Sequence, residues 1–286
     1  MAEPTMATAH PQRPVIVHPT DFAPGDAAAM AHAVALALAS KSILRLLQVR
    51  LDDASFYSPT QGLRLVRDLL VDWGALGPDA AYDRWEGELD LEVSSVSITA
   101  RNARAGILGY LEDTFCNLVV LATYPNKALT RWLVDASVHH RLLRHGRMMS
   151  LFLRDGQRGF IDPKTGALRL KQILMPIAGG VDSVPAIRRI QAMLALVDSG
   201  AEITLMHAGK RAPALADEDG VPIDMPILLR DGAVVESILA VASELDVDAI
   251  AMPTAGRHGL LDAVRGSASA QVVEDARWPL LAVPVG

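Results

Sequence analysis

Short apolar segments alternate with longer helical patterns along this chain of 286 residues, and the same order occurs twice. In the first copy, a predicted strand at residues 15–19 precedes a turn, an alanine-rich helix at 27–39 and a second strand at 43–49. In the second copy, the order restarts at Ile173. Alternating strands and helices indicate a parallel sheet that carries helices on both faces. We therefore predict an α/β protein built from two related halves.

The later parts of the two copies correspond even more closely than the first parts. Each copy has an apolar strand, a loop, a helix and one last apolar strand, and these parts lie 131 residues apart in the sequence. The second copy supplies a helix and a strand after Ile173 in the same order as the first. The predicted elements are the helix at 184–197, the strand at 201–207, the corresponding strands of the two copies at 118–123 and 249–254, and the terminal strands at 148–153 and 279–285.

The first copy is longer than the second in its middle. The first strands lie about 157 residues apart, so the first copy carries roughly 26 additional residues, which fall between Asp52 and Asp90. Within them, residues 63–76 have the apolar spacing of an amphipathic helix. Residues 154–167 are rich in glycine and charge, as linkers are. We predict two domains, at 14–153 and 168–286.

Composition excludes several classes of protein. The formal net charge of −6 disfavours sequence-independent nucleic-acid binding, which needs a basic surface. The single cysteine, Cys116, rules out an intrachain disulfide and is expected to be buried. The first residues have no apolar core typical of a signal peptide, and no apolar run reaches the ~18 residues of a membrane span. We expect a cytoplasmic protein with no metal site of its own.

A glycine-containing segment comes after the predicted strand at 249–254. Gly256 and Gly259 lie just beyond this strand, where open parallel sheets bind ligands, and Gly266-Ser267 opens the next helix. Glycines allow close approach of the backbone to a ligand, and free N–H groups at a helix N-terminus favour an anion. A phosphate site and a plain chain reversal with Ser267 as helix cap fit the spacing about equally well.

The segment MPTAGRHGLLDAVRGS, residues 252–267, resembles the fingerprint of the universal stress protein family. That fingerprint is Gly, two residues, Gly, nine residues, Gly and then Ser or Thr. Gly256, Gly266 and Ser267 match it, whereas Pro253 replaces its first glycine. The segment PTDF at 19–22 resembles the end of the family's first strand. The resemblance implies two tandem, open, mostly parallel five-stranded sheets with helices on both faces, a Rossmann-like fold of the adenine-nucleotide alpha-hydrolase type.

Some members of this family bind ATP, and the resemblance implies the residues involved. The fingerprint wraps the phosphates, and the residue two positions after the first-strand proline, usually Asp, helps to hold the adenine. That residue is Asp21 in the first half and Ala178 in the second. In the first half, Pro125 and Asp135 replace Gly256 and Gly266, so we expect a degenerate site there. The predicted adenine-nucleotide site, for ATP with Mg²⁺, comprises Ile177, Ala178, Gly179, Gly256, Arg257, His258, Gly259, Gly266, Ser267 and Ala268.

The segment AGGVDS, residues 178–183, allows other interpretations. It is similar to the Ser-Gly-Gly-x-Asp-Ser loop of PP-loop ATP pyrophosphatases, although Ala178 replaces the leading serine. A turn in which Asp182 or Ser183 caps the next helix is the simplest interpretation, and a contribution to an adenine pocket is the second. We expect a nucleotide-binding regulatory protein of the stress response with little or no hydrolysis. The alternatives are an interaction protein whose two sites are empty, and a pyrophosphatase.

Each copy ends in an apolar strand, and such a strand at a sheet edge invites pairing. The family resemblance implies that these strands mediate dimers. Within one chain, the linker makes their pairing intramolecular. We therefore expect the strands at 148–153 and 279–285 to form an intramolecular pseudo-dimer. A homodimer is left open, with the additional helix at 63–76 as a candidate surface.

Overall fold

The computed structural model describes residues 13–51, 59–81, 85–123, 148–157, 159–178, 183–217, 219–254, 272 and 275–285. None of the helices in these ranges is both long and apolar enough to cross a membrane.

Ten strands and six α-helices lie within the described residues. The strands are β1 (Val15–Pro19), β2 (Ile43–Arg50), β3 (Glu92–Thr99), β4 (Leu118–Thr123), β5 (Met149–Arg154), β6 (Gln172–Pro176), β7 (Glu202–Ala208), β8 (Ile227–Arg230), β9 (Ala249–Thr254) and β10 (Leu280–Pro284). The helices are α1 (Ala27–Ala39), α2 (Pro59–Asp72), α3 (Trp85–Leu89), α4 (Ala103–Asp113), α5 (Val184–Leu196) and α6 (Val234–Glu244), with a 3₁₀ turn at Pro24–Asp26.

The ten strands form one sheet in the order β3-β2-β1-β4-β5-β10-β9-β6-β7-β8. Neighbouring strands are parallel within β1–β5 and within β6–β10. The strand order of the second half repeats that of the first, as expected for two copies of one α/β unit. The predicted α/β class with five parallel strands per half is confirmed, and the two five-stranded sheets are joined edge to edge.

The joint between the halves is the pairing of β5 with β10. These strands are antiparallel, and Leu280, Leu281 and Ala282 lie opposite Phe152, Leu151 and Ser150. They are the two terminal strands that the sequence analysis expects at one interface. Since the joint is the one antiparallel pair in the described sheet, strands of the first half run opposite to those of the second.

Helices cover both faces of the sheet and enclose two apolar cores. One face carries α1, α2 and α5, and the other carries α4 and α6. The strands supply both cores by alternation, so that Ile16 faces the first core while Val15 and Val17 face the second. This near-continuous burial of β1 on both faces is typical of parallel sheets.

The connection between the halves is fastened to α1 rather than loose. Phe160 and Ile161 are buried, and their backbone N–H groups donate to Nε2 of His32 at 3.1 and 3.3 Å. Nδ1 of His32 donates to the Ala28 carbonyl at 2.7 Å, so the imidazole is used at both nitrogens. A Cβ at Gly159 would lie 2.1 Å from the His32 ring, and glycine is therefore required there. The described residues of the predicted linker thus pack against the first half.

The additional helix of the first half, α2, has a structural role. It occupies residues 59–72 instead of the predicted 63–76, and its residues Val66 and Leu70 are fully buried. Just beyond it, the Trp73 indole N–H donates to the Pro163 carbonyl at 3.0 Å. Gly166, with a φ of +68°, allows the connecting segment to pass close to the Trp73 ring. The apolar face of α2 is thus used inside the chain, and this face is not available for self-association.

Candidate functional site

The strand order places a ligand crevice at the carboxyl end of each half. In the first half β1 lies between β2 and β4, and in the second half β6 lies between β7 and β9. Chain connections leave in opposite directions on the two sides of β1 and of β6, and open α/β sheets bind ligands outside the carboxyl ends of strands at such points. The candidate sites therefore lie beyond Pro19 and Thr123 in the first half, and beyond Pro176 and Thr254 in the second.

Two residues of the predicted nucleotide site lie within the described part of the chain. Ile177 is buried, and its N–H donates to the Met206 carbonyl at 2.8 Å, which extends the pairing of β6 with β7. Ala178 is the next residue and is exposed at the end of β6. The structure thus brings Ala178 to the mouth of the second crevice. The other eight, and Asp182, lie outside the described residues: Gly179, Gly256, Arg257, His258, Gly259, Gly266, Ser267 and Ala268.

Thr254 ends β9 on the other side of this crevice. Its hydroxyl is buried and has no hydrogen-bond partner among the described residues. In the first half, the hydroxyl of the equivalent Thr123 donates to the Leu153 carbonyl at 3.2 Å. Within the described residues the two halves therefore differ at this point, because the Thr123 hydroxyl has a hydrogen-bond partner and the Thr254 hydroxyl has none.

His207 is a polar residue at the second crevice that the sequence analysis did not identify. It stands near the end of β7, and its Nδ1 donates to the Ile177 carbonyl at 2.8 Å. Gly209 lies against the ring, since a Cβ there would be 2.6 Å from Nε2. His207 thus fixes the backbone immediately before Ala178. Its position at a strand end beside a glycine was the available signal in the sequence.

The crevice of the first half contains a buried group of three polar side chains, His18, Thr20 and Asp26. The His18 ring is fully buried, with Nδ1 2.9 Å from the Val120 carbonyl and Nε2 3.1 Å from Oδ2 of Asp26. Both ring nitrogens face acceptors, and donation from both requires the imidazolium form. The Thr20 hydroxyl donates to the same carboxylate oxygen.

Charge stabilises this group against the cost of its burial. Burial would lower the pKa of His18, but the charge of Asp26, its hydrogen bond and the bond to Val120 outweigh burial, and the pKa is raised. Burial would raise the pKa of Asp26, but the charge and hydrogen bond of His18 and the bond from Thr20 lower it. Both shifts favour the charged forms of the pair, an imidazolium and a carboxylate. The pair ties β1 to β4 and to the start of α1.

Asp26 lies at the start of α1, where an aspartate side chain commonly caps a helix. It occupies the N-cap position of α1 but makes no side-chain capping hydrogen bond, because its carboxylate is turned to His18. A negative charge at this helix end is still favourable. Ser183 occupies the corresponding position of α5, likewise without a side-chain capping bond.

The second half has two apolar side chains and a serine where the first half has this polar group. Counting along the matching elements, whose offset is 157 residues, Met175 corresponds to His18 and Ile177 to Thr20. Asp26 corresponds to Ser183. The first crevice therefore holds a fixed buried ion pair at its base, and the second has an apolar base.

The loop after β1 carries Asp21, which the resemblance associates with adenine. Asp21 is exposed, and its Oδ1 accepts a hydrogen bond from the Ala23 N–H at 3.0 Å, which forms a local turn. The next residue, Phe22, has a φ of 57° and its N–H donates to the Thr20 hydroxyl. The polar group at the base of the crevice therefore also holds this loop. Within the part of the chain that the structure describes, no cluster of three metal-ligating side chains is found.

Comparison with solved structures identifies the fold. The chain is similar to a universal stress protein from Archaeoglobus fulgidus, with 13% identity, a TM-score of 0.58 and coverage of 96% of this chain and 97% of the other. It is also similar to a functionally unknown protein from Pseudomonas aeruginosa, with 14% identity, a TM-score of 0.59 and coverage of 95% and 92%. No curated protein matches significantly.

The family model of the universal stress proteins matches residues 13–154 and 210–284, well over half of the chain. The first segment spans β1 to β5, and the second spans β8 to β10, so β6, α5 and β7 lie outside the match. Both segments fall on strands of the same ten-stranded sheet. The chain belongs to the universal stress protein family.

Proposed function

We propose that this universal stress protein binds an adenine nucleotide, ATP with Mg²⁺, through its second half and acts as a regulatory protein of the stress response in the cytoplasm. The observation that carries the proposal is the difference between the two crevices. In the second, an exposed Ala178 and the buried hydroxyl of Thr254 flank an apolar base, and the glycine segment begins directly after β9.

A nucleotide fits the chemistry of the second crevice. The adenine ring of the nucleotide is planar and largely apolar on its faces. It therefore suits Met175 and Ile177, the buried apolar residues at the bottom of the second crevice. The phosphates require backbone N–H groups and a helix N-terminus, which the segment containing Gly256, Gly266 and Ser267 supplies in the sequence. Mg²⁺ is expected to arrive with the phosphates, as in most nucleotide sites.

The first half is a poor nucleotide site for two independent reasons. Its crevice already holds the buried His18–Asp26 pair, in which Nε2 of His18 lies 3.1 Å from Oδ2 of Asp26. In its sequence, Pro125 and Asp135 stand where the second half has Gly256 and Gly266. Proline lacks an N–H donor, and aspartate repels phosphate. We propose that the first half is structural.

We also propose that the pairing of β5 with β10 makes the chain an intramolecular pseudo-dimer of domains at 14–153 and 168–286. Antiparallel pairing of equivalent terminal strands is the arrangement that a two-fold axis between two copies would produce. A tandem chain then reaches with one molecule the arrangement that single-domain relatives would need two molecules to form.

The experiment begins with the purified protein. Heat extraction and chromatography are expected to release and identify adenine nucleotide, and calorimetry with Mg-ATP is expected to show one site per chain. Gly266→Asp should abolish binding because it places a carboxylate against the phosphates. Gly200→Asp is the matched control, since Gly200 is exposed, has no positive φ and has open space around its Cβ position.

Three results would contradict the proposal. Full affinity in Gly266→Asp excludes the second-half site. Absence of both extracted nucleotide and Mg-ATP binding favours an interaction protein with empty sites. ATP turnover above ~1 s⁻¹, the lower end of ordinary enzymes, excludes a binding protein with little hydrolysis and is measured by phosphate release.

A further inference from the structure

A groove lies where the two halves meet on the face that carries α1 and α5. Its walls come from the start of β1, β4 and β5 and the end of α1 in the first half, and from α5 in the second. We call it the inter-half groove. Its apolar wall includes Ile16, Leu36, Leu118 and Met149 from the first half and Met193 and Val197 from the second.

The inter-half groove is large enough for a small molecule. Its volume is about 190 Å³. An engineered apolar cavity of about 150 Å³ stays dry and binds benzene. At the mouth of the groove, Ala192 and Leu196 of α5 are exposed, so a ligand has a path from solvent.

The polar atoms of the groove favour an acceptor group on the ligand. Oδ1 of Asn117 accepts a hydrogen bond from the Val15 N–H at 2.8 Å, which directs the amide oxygen to the backbone and leaves Nδ2 as a donor. No hydrogen bond of this Nδ2 is found within the described residues. Arg189 lines the groove from α5 and carries a permanent positive charge. The described lining contains no carboxylate.

The two serines of the groove do not change this preference for an acceptor group on the ligand. The hydroxyls of Ser40 and Ser42 lie 2.6 Å apart and bond to each other, and the Ser40 hydroxyl also donates to the Leu36 carbonyl. The polar groups that face a ligand are therefore an amide donor and a cation beside an apolar wall. An apolar body with one anionic oxygen acceptor complements such a surface.

We propose that the inter-half groove binds a small aromatic or aliphatic monocarboxylate. Its apolar body packs between α1 and α5, and its carboxylate accepts from Asn117 and is attracted by Arg189. This site shares no residue with the nucleotide site proposed above and does not depend on it. Because the ligand contacts both halves, it stabilises their joint arrangement.

The test uses the full-length protein with benzoate as probe and benzyl alcohol as its neutral counterpart. Calorimetry is expected to show saturable benzoate binding below about 10 mM, at least tenfold tighter than benzyl alcohol, since tenfold corresponds to about 1.4 kcal/mol. Asn117→Asp keeps the acceptor for the Val15 N–H but replaces the donor with negative charge. It should weaken benzoate at least about tenfold and change benzyl alcohol by less than about threefold.

A second pair of variants tests the position of the site without touching its polar groups. Ala192→Leu narrows the groove and should weaken both probes at least about fivefold. Ala195→Leu places the same side chain on an exposed position of α5 outside the groove and should leave both affinities unchanged. This pair keeps the proposal testable if Asn117→Asp does not fold.

Each of four results would overturn the proposal. Absence of benzoate binding removes the site, equal affinity for the two probes removes the anionic class, and unchanged affinity in Ala192→Leu places binding elsewhere. The fourth result is that the protein binds no benzoate but self-associates in sedimentation, and that Ala192→Leu abolishes this self-association. It would show that a second copy of the chain covers the groove.

Discussion

Replacing Asp26 by serine removes one partner of the buried His18–Asp26 pair and gives the first half the residue found at the corresponding position of the second. His18 is then left fully buried with the Val120 carbonyl as its one acceptor. The Thr20 hydroxyl loses the carboxylate that accepted its hydrogen bond. Removing one partner of a buried ion pair costs about 3–5 kcal/mol of the free energy of unfolding. With an m value of about 2 kcal/mol/M, the urea midpoint falls by about 1.5–2.5 M.

The control replaces all three residues of the polar group by the residues at the corresponding positions of the second half. His18→Met, Thr20→Ile and Asp26→Ser together reproduce Met175, Ile177 and Ser183. Apolar replacement of a complete buried pair is often neutral or stabilising, so this triple variant should recover most of the stability lost in Asp26→Ser. Urea unfolding monitored by circular dichroism measures both. A loss under about 1 kcal/mol in the single variant, or a triple variant less stable than the single, would refute the reasoning.

The pH dependence of the stability difference between the wild type and the triple variant gives an independent check. The folded pKa of His18 is raised above its ordinary 6.5, so its contribution is complete below that value and is lost as the pH rises through the folded pKa. The folded pKa of Asp26 is lowered below its ordinary 3.8, so its contribution is present above 3.8 and is lost as the pH falls through the folded pKa. The free energy of unfolding of the wild type should therefore exceed that of the triple variant by the largest margin between about pH 4 and 6.5.

Three further predictions concern the joint between the halves and the thiol. Gly159→Ala should displace His32 from the connecting segment and speed proteolysis within residues 154–167, whereas Gly77→Ala, in open space, should not. Leu151→Asp and Ala282→Asp, each a charge in the buried β5–β10 joint, should each lower thermal stability and speed the same cleavage; unchanged cleavage would contradict the joint. Cys116, whose thiol pKa burial raises to about 12, should resist alkylation at pH 8 until the protein unfolds.

The elements that the sequence predicts well are those whose residues determine them locally. The strand at 15–19 and the helix at 27–39 have the predicted bounds, because an unbroken apolar run and an alanine-rich segment each favour one structure. The apolar pattern does not locate the strands β3 and β8. β3 contains three serines and is half-buried along most of its length, and β8 has four residues. Their structure comes from pairing with a neighbouring strand, which a single segment does not reveal.

The candidate site was predictable in position but not in content. Strand ends at 19 and 176 can be derived from the apolar pattern, and so can the crevice beyond them. The ion pair cannot, because Asp26 fits the pattern of a helix cap equally well, and only the fold brings it to His18. Likewise, glycine and charge in residues 154–167 indicated a loop, whereas the packing of His32 against Phe160 orders it.

The pairing of β5 with β10 has a consequence for the synthesis of this protein. The strand at Met149–Arg154 is complete long before its partner, Leu280–Pro284, has been made. About 125 residues separate them, which takes roughly 6–25 s at about 5–20 residues per second. For that time the nascent first half presents the unpaired backbone of an apolar strand. A chain that stops before residue 280 never covers it, so truncated products of this protein should be the ones that most need chaperones.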